Sequence, residues 1–178
     1  MPAVGRDPEG EKLSKGGVNM ALQDTFNGAK TAFTFYGAYL NTVAQEIGME
    51  RALALHSKML ETAGTVQGKM IKDQAGAKDV DAKAAYSLVK GILDSLGLGL
   101  EVLEEGPETV RFRCRQCSVY EGWQMAGLDD KTRETMCRAG SLRFMDAAVK
   151  QFDPRLAYQL AKYRSGPDDF CEEQIVLA

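Results

Sequence analysis

The chain has 178 residues, a formal net charge of −3 and a sequence pI near 5.3, with 44% hydrophobic and 26% charged residues. That length supports one substantial core but not two comfortable domains, and scattered Lys and Arg with a net negative charge leave no electrostatic footprint for nucleic acid. The N-terminus has no apolar signal-like stretch, and the longest uncharged run, residues 31–45, is broken by Thr, Asn and Gln. A membrane partner is therefore not expected, and a soluble cytoplasmic protein is.

In chain order, residues 1–17 are rich in Gly, Pro and charge without periodicity, so a flexible arm is expected there, followed by a single domain over 18–178. Leu22, Phe26, Ala29, Phe33, Tyr36, Leu40, Val43 and Ile47 recur at 4-3 spacing and predict a long helix over 19–47 with a narrow apolar seam. Such a seam wants another helix along it. Packing within the molecule is the plain expectation, and a homodimer through the N-terminal helices is the alternative.

Gly48 reads as a helix stop, and a second helix follows over 49–74 with His56, the only histidine, on its apolar stripe. Gly64 and Gly68, one turn apart, predict a close backbone approach. A third helix fits 81–96 and stops at Gly97. The period then changes to two: 100–104 and 109–114 flank a Glu-Gly-Pro-Glu turn and predict a β-hairpin. A short helix over 119–126, a longer one from Asp129 or Asp130 to about Phe152, and two strand-like runs over 155–164 and 170–177 complete the chain. The order implies an α+β fold: N-terminal helices, then an antiparallel sheet of about four strands with two inserted helices.

The four cysteines, Cys114, Cys117, Cys137 and Cys171, all fall in the last third of the chain. In a reducing compartment thiols at such positions serve as metal ligands, as catalytic groups or as core filling, and all three readings are open. Four soft ligands suit a zinc ion or an iron–sulfur cluster, although the spacing matches no familiar knuckle. Cys114 is the weaker candidate ligand. If it ends its strand, it faces away from Cys117, leaving Cys117, Cys137 and Cys171 with a fourth position for His56, water or a ligand. His56 is the only imidazole available as a general base, while a lone histidine on a helical stripe is more commonly structural. Asp168 and Asp169 fit a turn, and Trp123 fits a core anchor whose indole N–H needs a partner.

The run Cys114-Arg115-Gln116-Cys117-Ser118-Val119-Tyr120, the later Cys137, and the closing Gly166-Pro167-Asp168-Asp169-Phe170-Cys171 resemble the L-2-amino-thiazoline-4-carboxylic acid hydrolase family. That family typically carries C-P-x-Y, one downstream cysteine and a G-x-D-x-C ending; here Ser118 stands in the proline position and Cys114 is additional. The Glu46-Ile47-Gly48-Met49-Glu50-Arg51-Ala52 break between the first two helices also fits. The family is similar in outline to vinyl-reductase-like ligand-binding domains. The resemblance implies a small-molecule substrate, opening of a cyclic C=N by water, and a site at Cys117 with Cys137 and Cys171 as neighbours. The alternative it implies is a non-catalytic sensor that binds a small molecule or a metal.

Overall fold

The computed structural model describes residues 8–178, with side chains described from Met20 onward. The first seven residues of the expected arm lie outside the described residues. Helix α1 (Pro8–Ile47) is continuous from Pro8, and Gly48 joins it to α2 (Met49–Ala75). Helix α3 (Ala82–Ser95) begins at Asp81, whose carboxylate accepts the Ala84 N–H at 2.8 Å, so an N-terminal donor that the helix leaves over is satisfied locally.

The hairpin β1 (Gly99–Glu105) and β2 (Thr109–Gln116) follows, then α4 (Ser118–Met125) and α5 (Asp130–Met136), capped by Asp129. The helix expected to run on to Phe152 is interrupted. A π-helical turn, Cys137–Ser141, lies between α5 and α6 (Leu142–Val149). Strands β3 (Leu156–Lys162) and β4 (Cys171–Leu177) close the chain. Among the described residues the strands form one antiparallel sheet in the order β1-β2-β4-β3, which is the α+β arrangement expected.

Period-two alternation sorts the sheet into two faces. Val110, Phe112 and Cys114 of β2 are buried on the helix side, as are Ile175 and Cys171 of β4, while Arg111 and Arg113 point outward. Outside, Arg113 reaches Glu172 across the strand pair at 3.0 Å. Inside, α3 covers the sheet through Ala85, Tyr86, Val89 and Leu93, packed with Phe112, Val149, Leu156 and Ile175.

A second apolar cluster joins α1, α2 and α4 through Leu40, Ala44, Ala52, Val119 and Trp123. Much of the α1 seam is spent here: Phe26 and Leu40 are buried, whereas Leu22 and Ile47 at its ends are exposed. Helices α2 and α6 approach backbone to backbone, because a Cβ on Gly64 would lie 2.1 Å from the Phe144 carbonyl oxygen and one on Gly68 2.4 Å from that of Ala148. Among the described residues, no helix is long and apolar enough to cross a membrane.

Candidate functional site

Between the inner face of the sheet and the helices lies a predominantly apolar cavity of about 230 Å³. Phe33 and Tyr36 of α1, His56 and Leu60 of α2, and Ile92, Leu93 and Leu96 of α3 form its helical wall. Cys117, Val119, Tyr120 and Trp123 come from the start of α4, Cys137 and Ser141 from the π turn, and Cys114, Tyr158, Cys171 and Glu173 from the sheet. All four cysteines and the single histidine thus share one cavity, drawn from segments far apart in sequence.

Cys114 departs from the expectation. Strand β2 continues past it to Gln116, so it does not end the strand, and its side chain is buried on the inner face, in register with Cys171 of β4. Directly opposed residues of antiparallel strands point to the same side, which places both thiols on the cavity floor. Cys117 lies just past the strand as the N-cap of α4, with extended backbone, and its sulfur accepts the Tyr120 N–H at 3.5 Å. Ser118, in the family's proline position, is the first helical residue, a place where proline is favoured for its fixed φ. Here the buried serine hydroxyl instead donates to the Leu96 carbonyl at 2.7 Å and ties α4 to the end of α3.

The environment separates the thiols. A hydrogen bond from Cys114 holds the Cys117 thiol below its ordinary range, helped by the Tyr120 N–H and the positive charge of Arg164, against the opposing effect of burial. The same hydrogen bond, followed by burial, pushes Cys114 up. The single thiol proton of Cys114 also has the Gln116 carbonyl within 3.2 Å. Burial raises Cys137 and Cys171, the latter opposed by contacts with Arg164.

Arg164 and Glu173 were not singled out by sequence reasoning. Arg164 is 4% exposed, and its Nη2 donates to the Cys114 and Arg115 carbonyls at 3.0 and 2.9 Å, with the guanidinium 4.5 Å from the Tyr120 ring centroid. An arginine in a strand-exit loop looks solvated in sequence, and no local signal marks it as buried. Glu173 could have been found, since it lies two residues from Cys171 in a period-two strand and therefore on the same face. Burial raises its carboxyl above the ordinary range and the Tyr158 hydroxyl donates to it, partly offsetting that rise.

His56 lies on the cavity wall with both ring nitrogens engaged. Nε2 faces the Met136 carbonyl at 3.1 Å and so carries the proton, leaving Nδ1 to accept from the Tyr36 hydroxyl at 2.7 Å. Burial lowers its pKa and favours the neutral ring, opposed by the Met136 carbonyl. Gly140 permits this approach: a Cβ there would lie 1.9 Å from His56 Nε2. Trp123 is a core anchor as expected, but its buried Nε1–H lacks a partner among the described residues. Asp169 is a turn residue, pairing with Lys162 at 2.7 Å and accepting from Ser165.

A shared metal centre is not what this geometry provides. Among the described residues, no group of three His, Cys, Asp or Glu side chains is placed to hold a metal ion. The zinc or iron–sulfur reading of Cys117, Cys137 and Cys171, with or without Cys114 or His56, has no ligand set. The four thiols come from separate segments that line one cavity.

The α+β fold thus encloses an apolar cavity with thiols, a buried carboxyl and a tied imidazole on its wall. The chain belongs to the L-2-amino-thiazoline-4-carboxylic acid hydrolase family, whose model matches residues 28–172. No curated protein matches it. Among solved structures it resembles the crystal structure of the phenol-responsive sensory domain of the transcription activator PoxR with phenol. That match has a TM-score of 0.53 and 13% identity, and covers 82% of this chain and 74% of that one. At such identity the likeness shows a shared fold.

Proposed function

We propose that the protein opens a small cyclic C=N compound of the thiazoline type, using Cys117 as a nucleophilic thiolate. The observation that carries this reading is the position of Cys117, a helix-capping thiol on the cavity wall held below the ordinary thiol range by Cys114, the Tyr120 N–H and Arg164. A thiolate so placed is a strong nucleophile facing an apolar space. Glu173 supplies the opposite tendency, a carboxyl on the same wall that burial moves above the ordinary carboxyl range. A thiol moved down and a carboxyl moved up from their ordinary ranges bring a nucleophile and a proton donor toward the same working pH.

In this reading the Cys117 sulfur bonds to the ring carbon of the C=N, and the π pair moves to nitrogen, which takes the Glu173 proton. The ring C–S bond then breaks with its pair on sulfur, and the nitrogen proton passes to that sulfur. A thioimidate on Cys117 and a free substrate thiol result. Water adds to the thioimidate carbon, one of its protons restoring Glu173 and the other going to nitrogen, and the Cys117–carbon bond breaks to leave an amide and the thiolate. Cys137 and Cys171, with raised pKa values, serve as neutral wall thiols. His56 holds the Tyr36 hydroxyl in place.

The test is incubation with thiazolines, following loss of the ring by chromatography and adducts by intact-protein mass spectrometry. Ring opening with a transient adduct that disappears in Cys117→Ser is the expected result. Binding without opening would move the protein to the second reading, a sensor-type binding domain, which the apolar cavity and the fold shared with a sensory domain favour. Both readings need reduced thiols, which a cytoplasmic setting provides. A homodimer is a further proposal: Phe35 and Tyr39 are 72% and 65% exposed on α1, apolar surface that a second copy would cover. Light scattering across micromolar concentrations decides it, and a constant monomer mass would remove it.

A further inference from the structure

We infer that the ring compound this cavity accepts carries no carboxylate and enters uncharged, unlike the amino-thiazoline carboxylate in the family's name; the inference rests on the reading of this cavity as the site of thiol chemistry. The wall is the reason. Among the described residues no Lys or Arg lines it. The buried cation nearest in function, Arg164, stands behind the thiols with its Nη2 committed to two main-chain carbonyls, and it is not a wall residue.

The polar groups that do line the cavity are poor partners for an anion. Cys117 is the thiol held toward its anion, so a ligand carboxylate would meet like charge there. The His56 Nε2–H is taken by Met136 and the Tyr36 hydroxyl proton by His56, while the Tyr158 hydroxyl proton is taken by Glu173. A carboxylate brought into apolar surroundings without a cation loses its hydration with nothing to replace it. Among the described residues, the wall donors without a protein partner are neutral, the buried Trp123 Nε1–H and the Ser141 and Tyr163 hydroxyls, suited to an uncharged acceptor atom. An apolar wall with a few fixed polar groups is the usual form of a site for a neutral ring.

The experiment compares two probes that differ only in charge, 2-methyl-2-thiazoline and 2-methyl-2-thiazoline-4-carboxylate, at pH 7.5. Ring opening is followed with the full chain, and binding by thermal shift with Cys117→Ser. The expected result is that the neutral probe is preferred by at least about tenfold, both in kcat/KM and in the concentration needed to raise Tm. Equal or better opening of the carboxylate probe would overturn the inference and leave the thiol chemistry standing. If neither probe is opened but the neutral one alone raises Tm, the inference holds and the hydrolase reading fails. If neither is opened nor raises Tm, both are overturned.

Discussion

The molecule contains two apolar clusters built from similar residues and packed to different ends. Between α3 and the sheet, Val89, Val110, Phe112, Leu156 and Ile175 are wholly buried, with the Phe112 ring 5.3 Å from Tyr86 and 6.0 Å from Tyr158. Between α1, α2 and α4, the cluster of Leu40, Ala52, Val119 and Trp123 is bordered by Phe33, Tyr36 and Leu60, which face open volume. The cavity lies where the two meet, drawing Leu93, Met145 and Tyr158 from the first and Val119 and Trp123 from the second. Filled space fixes the sheet, and the gap beside it is where chemistry has room.

The sharpest way to break that comparison is to truncate one residue on each side. Phe112→Ala is expected to cost about 3–5 kcal/mol, as removal of a close-packed ring does. Leu60→Ala is expected to cost less than about 2 kcal/mol, because its side chain already lacks neighbours toward the cavity. Chemical denaturation measures both, and equal losses would mean that the cavity wall is as tightly packed as the α3 cluster.

Gly140→Ala should fall between them at about 1–3 kcal/mol, since the new methyl displaces His56 from the Met136 carbonyl. His56→Gln provides the matching pH test. The folded-state pKa of His56 lies below its ordinary 6.5, so its contribution is fully present above pH 6.5 and is lost as pH falls from there through the folded-state value. The variant should show a shallower loss of Tm across that window than the parent; an identical slope would mean the imidazole is not held neutral.

The smallest stability change belongs to Cys117→Ser, under about 1 kcal/mol, because serine caps a helix as well as the thiol does. Its effect is chemical. Timed alkylation with iodoacetamide should modify Cys117 before Cys114, Cys137 or Cys171, and its rate should persist to lower pH than an ordinary thiol's, since its pKa is lowered while theirs are raised. Cys137 or Cys171 reacting first would reverse the assignment of the nucleophile.

The helices and hairpin were legible because each obeys one period between clear stops: α2 and α3 end within a residue or so of their expected bounds. Gly64 and Gly68 announced the α2–α6 contact because glycines one turn apart on a helix have few other uses. A shared site for Cys117, Cys137 and Cys171 was an expectation from motif positions, not from any periodicity; all three line the one cavity described. Cys114 was misplaced relative to Cys117 because its face follows the alternation with Val110 and Phe112, while the turn from β2 into α4 brings Cys117 round to the same cavity. Arg164 escaped notice because its burial comes from Tyr120 and from carbonyls some fifty residues away in sequence, a relation no local pattern encodes. That no three ligating side chains among the described residues are placed to hold a metal was equally invisible, since spacing along the chain does not say how side chains are aimed.

The π turn at Cys137–Ser141 has an accounting of its own. In a regular α-helix, residues five apart stand about 140° from one another, so Cys137 and Leu142 would look in different directions. Both line the cavity. The turn acts as a phase shifter, a one-residue insertion that re-indexes every later position of α6 while α5 stays fixed. Winding the same residues as regular α-helix would rotate the Phe144–Met145 segment by about 100° relative to Cys137. The result would be a helix with the same composition presenting a different surface to the ligand, so the length of this turn, as much as the identity of its residues, sets the shape of the binding space.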